Sequence, residues 1–291
     1  MQLLTNALIA GSLVALLAGG LALVYGVLGV FNLALGQLAL VGGYSVWFLH
    51  REVGMPLMLS VPLGVGIGGL ITWITFEIFI APFYKRHRFL PLVTTIALSM
   101  MLDGLILLLF EERPHAIMRS AKHFLSFESV RVSVEQLLLI CSTLVFLCVV
   151  AAILHATRIG RQVRASTQHS EAASSLRISA PFLHRLLFIA SGVLAGLAGV
   201  YVGIDQTLVP TLGFTLTIKA YAALVAGGKD NIWGTILCAY LIALIEQLAV
   251  GIAWFGFFVP ASYQNVVALM FIIVILLVKP SGLFSHRSRF A

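Results

Sequence analysis

Five polar side chains lie within the apolar runs of this sequence or at a junction between two of them, and could act on a polar solute: Asn32, Gln37, Asp103, Lys219 and Glu246. A charge near the centre of a bilayer costs about 2.5–3.5 kcal/mol or more, so such a residue pairs with another charge or faces water. Buried charges of this kind mark the paths that ions and polar solutes take through membrane proteins. The five residues are therefore candidates for a translocation path.

The charged candidates differ in the partners that the sequence offers them. Lys219 and Glu246 lie in successive apolar runs, and their opposite charges predict an ion pair that offsets much of the cost of burial. Such a pair either fixes the register of two helices or lies on the solute path. Asp103 has no local partner, and we expect it to face the interior of the bundle. Glu77 is close enough to a segment end to reach the interface, and we assign it no role.

The two amide candidates lie close together near the start of the chain. Asn32 interrupts the junction of the first two apolar runs, and Gln37 follows soon after. An amide at a helix break offers donors and acceptors to a passing polar solute. The alternative is that both amides form hydrogen bonds between helices.

The composition shows to which class of protein these residues belong. Of the 291 residues, 60% are hydrophobic and 10% are charged, with a mean hydropathy of +1.05. Soluble domains are about 45–50% apolar and about 25% charged. A soluble fold could not hide so much apolar surface, so the sequence predicts an integral membrane protein.

The apolar runs define the predicted spans. Because backbone amides in lipid must be satisfied within their own segment, the runs predict an all-α polytopic bundle of eight to nine transmembrane segments. The first run carries no basic residue before it, which is typical of a retained span rather than a cleaved signal. The two shortest runs are predicted as half-helices or broken helices, and they are 33–49 and 214–228. The runs cover about 7–31, 33–49, 57–81, 90–110, 134–156, 183–203, 214–228, 232–252 and 259–278.

The basic residues predict the orientation, since cytoplasmic loops carry an excess of Lys and Arg. One set of loops holds 12 of them: Lys85, Arg86, Arg88, Arg158, Arg161, Arg164, Arg177, Arg185, Lys229, Lys279, Arg287 and Arg289. The opposite set holds 5: Arg51, Arg113, Arg119, Lys122 and Arg131. The first set, and with it the C-terminus, is predicted to be cytoplasmic. The net charge of +7 thus reflects orientation and does not indicate a nucleic-acid partner.

Sequence motifs for catalysis and for metal binding are missing. The nearest match to a phosphate-binding loop is Gly227-Gly228-Lys229-Asp230, which lacks the Ser or Thr that holds magnesium and reads as a tight turn. The chain has no H-E-x-x-H or G-x-S-x-G motif, and the three cysteines lie in apolar runs without a C-x-x-C spacing. We expect no catalytic residue, no metal site and no cofactor in this chain.

The 157–182 loop is predicted to be cytoplasmic, basic and helical, with small apolar residues among polar ones. Pro181 limits this helix before the next span. No linker or soluble domain interrupts the chain, so residues 1–291 are predicted to form one membrane domain.

A series of stretches in order along most of the chain resembles a known family. They are similar to permease subunits of the branched-chain amino acid ABC transporters, the high-affinity type with a periplasmic binding protein. The chain departs from the family pattern at Leu35, where histidine is usual, and at Arg177, where glycine is usual. The stretches are Tyr25–Gly36 with Gly43-Tyr44, Gly160–Ala165, Glu171–Ala173, Leu176–Ile178, Leu194–Val200, Pro210–Gly213, Lys219-Ala220, Gly227-Gly228, Glu246 and Lys279–Phe284.

The resemblance implies a permease of the bacterial inner membrane that imports branched-chain or related amino acids. It implies a second permease subunit, two cytoplasmic ATPase subunits that bind ATP and magnesium, and a periplasmic solute-binding protein. The loop within 157–182 would couple the permease to the ATPases through Arg161, Arg164, Ala165, Glu171, Ala172, Ala173, Leu176 and Arg177.

Two other functions remain open from the residues alone. A secondary transporter or channel could use Asp103, Lys219 and Glu246 for ion coupling without an ATPase. A membrane enzyme would need a cluster of His, Asp or Glu at one membrane face, and the sequence shows none. The 157–182 loop favours the importer, because a carrier acting alone has no need of a docking element.

Overall fold

The computed structural model describes residues 2–84, 89–118, 124–127, 130–168, 179–229, 231–251, 260 and 263–284. The helix over Leu57–Thr75 continues as a π-helical turn over Phe76–Ile80. Two short strands, β1 (Phe124–Phe127) and β2 (Val130–Ser133), pair antiparallel. The helices in these ranges are α1 (Gln2–Leu28), α2 (Leu35–Arg51), α3 (Leu57–Thr75), α4 (Leu90–Phe110), α5 (Val134–Ala156), α6 (Arg158–Gln168), α7 (Ala180–Asp205), α8 (Leu212–Gly227), α9 (Ile232–Gly251) and α10 (Gln264–Val278).

Most of these helices have the length and composition of membrane spans. Within the described residues, six are long and apolar enough to cross a bilayer: α1, α3 with its π-helical turn, α4, α5, α7 and α9. Helices α8 and α10 are shorter apolar helices. The predicted all-α polytopic membrane bundle is confirmed.

The two shortest predicted spans are each a single continuous helix. Helix α2 has 17 residues and α8 has 16, and each begins after a non-helical stretch, 29–34 and 206–211 respectively. Gly29 has a φ of 63°, a left-handed conformation that glycine adopts without steric cost, and it ends α1. The helical structure is therefore interrupted before each short helix rather than within it.

The first and the last described segments lie at opposite ends of the bundle. Leu3 packs against Gly251, the last residue of α9. At the other end of α9, the backbone N–H of Leu283 donates to the carbonyl of Ala226 at 2.7 Å. In the described residues the chain therefore passes through the bundle nine times, with α6 as an additional polar helix. We call the end that holds Lys229 and α6 the basic end.

The centre of the bundle is built from α1, α2 and α7. Both α1 and α7 are largely buried, and α7 packs against α1, α2 and α3. The contact between α2 and α7 depends on glycine, because a Cβ on Gly42 would lie 2.6 Å from the Cα of Gly196. A Cβ on Gly199 would collide with the carbonyl of Ala39. Gly196 and Gly199 of α7 therefore serve close helix packing, as small residues do between membrane helices.

Helices α4 and α5 lie at the periphery of the bundle. They bury few residues and expose large apolar side chains such as Leu108 and Val145. Helix α5 begins with a capping box in which Ser133 and Gln136 satisfy each other's backbone N–H groups. An apolar outer surface of this kind fits a chain solvated by lipid.

Candidate functional site

Gln37 and Asp103 lie together between α2 and α4. The Nε2 atom of Gln37 donates to Oδ1 of Asp103 at 3.2 Å and is 3.4 Å from the carbonyl of Pro210. Gln37 is buried and Asp103 is half-buried. The partner of Asp103 lies 66 residues away in the sequence, so it is not a local one and comes close only through helix packing.

The close approach of α2 and α8 places Gln37 in this cluster. A Cβ on Gly36 would collide with the carbonyl of Gly213, so only glycine fits there. The backbone N–H of Gly36 donates to Oγ1 of Thr217 at 2.9 Å, and this hydroxyl donates to the carbonyl of Gly213 at 2.9 Å. The threonine hydroxyl thus satisfies a backbone donor in the first turn of α2, which has no partner within the helix.

Helices α2 and α8 run in opposite directions from this point. The rings of Phe31 and Tyr221 are 5.2 Å apart, whereas Gly43 packs against Leu208. At 1.5 Å per residue, each helix extends roughly 24–26 Å away from the junction. Two helix N-termini therefore converge inside the bundle, and each carries a partial positive charge that favours anions.

The convergence point includes buried polar atoms that have no hydrogen-bond partner. They include Oε1 of Gln37 and Nδ2 of Asn32, both in almost fully buried side chains. Oδ1 of Asn32 accepts from the backbone N–H of Ala34 at 3.1 Å, which holds the side chain in the break before α2. Unpaired buried donors and acceptors are costly, so this pattern is typical of a site that binds a ligand or water.

The predicted ion pair between Lys219 and Glu246 is present. Nζ of Lys219 lies 2.9 Å from Oε2 of Glu246, and Nε2 of Gln264 donates to the same oxygen at 3.2 Å. Glu246 is 2% exposed and Lys219 is 16% exposed. A small cavity of about 80 Å³, lined by Thr215, Asn265 and others, adjoins Lys219. Gln264 is a member of this cluster that the sequence did not indicate.

Four of the five candidates pair into two clusters on different faces of α8. Gly213 and Thr217 face α2 and the first cluster, Gln37 with Asp103, and Asn32 lies in the break just before α2. Lys219 faces α9 and α10 and forms the second cluster.

Comparison of the sequence with known protein families identifies the family of this chain. Residues 3–276 match the family described as "Branched-chain amino acid transport system / permease component". The chain belongs to this permease family.

Curated relatives agree with this assignment. The permease is 29% identical to the high-affinity branched-chain amino acid transport system permease protein BraD of Pseudomonas aeruginosa, over 98% of this chain and 96% of the relative. It is also 29% identical to the probable branched-chain amino acid transport permease protein LivH of Methanocaldococcus jannaschii, over 97% and 91%. LivH of Escherichia coli is 25% identical over 98% and 96%.

A solved structure supports the fold. The permease superposes on a chain of PsaBC from Streptococcus pneumoniae in complex with Fab with a TM-score of 0.53. The superposition covers 97% of this chain and 93% of the other at 16% identity. At this identity the likeness concerns the fold alone.

The predicted coupling loop of the permease is only partly described. Arg161, Arg164 and Ala165 lie on α6 at the basic end, where Val163 is buried and Arg164 donates to the carbonyl of Leu154. The remaining predicted coupling residues lie outside the described residues, and they are Glu171, Ala172, Ala173, Leu176 and Arg177.

Two other sequence predictions have structural outcomes in the permease. Gly228 ends α8 with a φ of 103°, and its carbonyl accepts from the backbone N–H of Asn231 at 3.0 Å, so the glycine-rich stretch is a tight turn.

Glu77, to which the sequence assigned no role, forms an ion pair with Arg185 at the start of α7 and accepts from Trp73 at 3.3 Å. Among the residues described, no group of three His, Cys, Asp or Glu side chains could hold a metal ion.

Proposed function

We propose that this chain is the pore-forming permease subunit of an ABC importer that moves branched-chain or related amino acids across the bacterial inner membrane. The observation that carries the proposal is the family match over residues 3–276. The curated relatives, which bear the names of branched-chain amino acid permeases over nearly their whole length, support it.

The basic end of the bundle is cytoplasmic in this proposal. Twelve loop Lys and Arg residues belong to that side of the predicted map and five to the other. The C-terminal segment packs at the basic end, through the hydrogen bond from Leu283 to Ala226. The C-terminus is then cytoplasmic and the start of α1 is periplasmic.

ATP hydrolysis belongs to separate subunits in this proposal. The glycine-rich turn at Gly227-Gly228 lacks the residues that hold a nucleotide phosphate and magnesium. Two cytoplasmic ATPase subunits would dock at the basic end against α6 and the loop that follows it, as a helix fits a groove. A second permease subunit and a periplasmic solute-binding protein would complete the importer.

The cluster at Gln37 has the chemistry to receive an amino acid. The converging N-termini of α2 and α8 favour the carboxylate of the solute. The carboxylate of Asp103 favours its ammonium group. An apolar cluster that includes Leu38, Leu98 and Leu102 lies on the same two helices and fits an aliphatic side chain. Asn32 and Gln37 would supply the remaining hydrogen bonds, and Lys219 with Glu246 would lie on a second face of the path.

Uptake of radiolabelled leucine tests the proposal. Cells that lack this gene are compared with cells that carry it on a plasmid. Proteoliposomes of the purified complex, with the solute-binding protein outside, are assayed with and without ATP in the lumen. Uptake that depends on this gene and on ATP is expected. Uptake that an ion gradient drives in the absence of ATP would contradict the importer and favour a secondary transporter or channel.

A further inference from the structure

A cavity of about 280 Å³ lies at the basic end, away from both polar clusters. Residues of α1, α5, α6, α7 and α9 line it, and none of the five translocation-path candidates is among them. It lies beside the contact of Leu147 on α5 with Gly19 on α1, and α6 contributes Val163, Arg164 and Thr167 to its lining. The cavity is therefore distinct from the proposed solute path.

The walls of the cavity are apolar and its mouth is basic. Side chains of spanning helices form the walls, including Leu23, Leu147 and Leu187. His155, Arg164 and Lys229 line it where the spans end, and all three are exposed. Trp233 also lines it and is 47% exposed. No Asp or Glu occurs among the lining residues that the structure describes.

This distribution matches the chemistry of one class of ligand. A purely apolar molecule would leave the basic residues without an anion, and a small anion would leave the apolar volume empty. Because protein interiors are close-packed, an apolar cavity of this size favours the binding of an apolar group. An amphiphile with an acyl chain and an anionic headgroup satisfies both parts.

We propose that this cavity binds one anionic phospholipid of the cytoplasmic leaflet, with an acyl chain among α1, α5 and α9 and the phosphate at Arg164 and Lys229. Basic pockets between transmembrane helices on the cytoplasmic side bind such headgroups. Trp233 stands at the level where tryptophan prefers the membrane interface. The bound lipid fills the space that α5 shares with α1, α7 and α9 and fixes α6 beside it.

Native mass spectrometry of the delipidated full-length protein in mild detergent tests this site. The probes are palmitoyl-oleoyl phosphatidylglycerol, phosphatidylethanolamine with the same chains, and soluble glycerol phosphate. The headgroup variant is Arg164→Ala/Lys229→Ala, and its control is Arg158→Ala/Arg161→Ala, which removes two exposed charges of α6 that do not line the cavity. The cavity variant is Ala151→Trp, and its control is Ala152→Trp on the exposed face of α5.

We expect phosphatidylglycerol to bind in preference to phosphatidylethanolamine. Each basic residue removed should lower its affinity about fivefold, and the headgroup variant about 25-fold. The control with two other arginines should stay within about twofold. Ala151→Trp should abolish lipid binding, whereas Ala152→Trp should not.

Two results would overturn the proposal. Equal binding of both phospholipids by the wild type and by the headgroup variant would show that the basic residues at the mouth do not distinguish the two headgroups. Displacement of phosphatidylglycerol by glycerol phosphate, with unchanged binding in Ala151→Trp, would show a phosphate site without an acyl chain. Neither result depends on transport, so the lipid site and the importer can fail separately.

Discussion

The two polar clusters of this bundle each hold a carboxylate among apolar helices, but with different partners. Lys219 and Glu246 neutralise each other within continuous helices, and Gln264 adds a hydrogen bond. Asp103 instead meets a neutral amide, Gln37, beside two helix N-termini. Both clusters keep a buried oxygen without a hydrogen-bond partner, Oε1 of Glu246 in the second and Oε1 of Gln37 in the first. Within the described residues they differ in charge, because Glu246 has a lysine partner whereas Asp103 accepts from a neutral amide. On this comparison we propose the first cluster as the ligand site and the ion pair mainly as a device that sets the register of the helices.

Removing one partner of the ion pair should have the largest effect. Lys219→Ala leaves Glu246 as a buried unpaired charge, which costs about 3–5 kcal/mol of stability. Lys219→Ala/Glu246→Ala should lose less, because neither charge remains. Thermal unfolding in detergent measures all the variants of this double-mutant cycle. Additive losses would show that the two residues do not stabilise each other.

Asp103→Asn should reduce leucine uptake about tenfold to hundredfold while the folded protein is retained. The reason is that a hydrogen bond to a charged group contributes about 1.5–3 kcal/mol, and the amide no longer attracts an ammonium group. Initial rates of uptake, normalised to the amount of protein in the membrane, measure the effect. Normal uptake by this variant would remove Asp103 from the solute path and weaken the contrast with Glu246.

Gly36→Ala should destabilise the junction of α2 and α8 by about 1–3 kcal/mol, because the added methyl group collides with the carbonyl of Gly213. The matched control is Gly104→Ala on α4, where a Cβ meets nothing within 4 Å. This control should be neutral or stabilising, since alanine favours the helix. Equal melting temperatures for the two variants would contradict the close approach of the two helix N-termini.

The ion pair of Arg185 with Glu77 should have the smallest effect. Both side chains are substantially exposed, at 51% and 31%, so Arg185→Ala should cost about 1 kcal/mol or less. Thermal unfolding beside Lys219→Ala compares an exposed pair with a buried one in the same bundle. A loss as large as that of Lys219→Ala would show that burial does not explain the difference between the two pairs.

The sequence by itself determined the membrane class, the position of most spans and the ion pair between Lys219 and Glu246. These properties depend on local composition and on opposite charges in successive helices, so they can be read along the chain. The resemblance to the permease family was also visible in the order of short stretches, and the match over residues 3–276 confirms it.

Only the tertiary structure decided how the candidates are grouped. The contact of Gln37 with Asp103 joins residues 66 positions apart, and the contact of Gly36 with Thr217 joins residues 181 apart. For the described helices, nine passes rather than eight agree with the opposite positions of Leu3 and Leu283, which require an odd number. Hydrophobicity fixes where a helix crosses the membrane, but it does not fix which helices touch. That choice depends on close approach at glycine and on the direction of each short helix, which appear only when the bundle is packed.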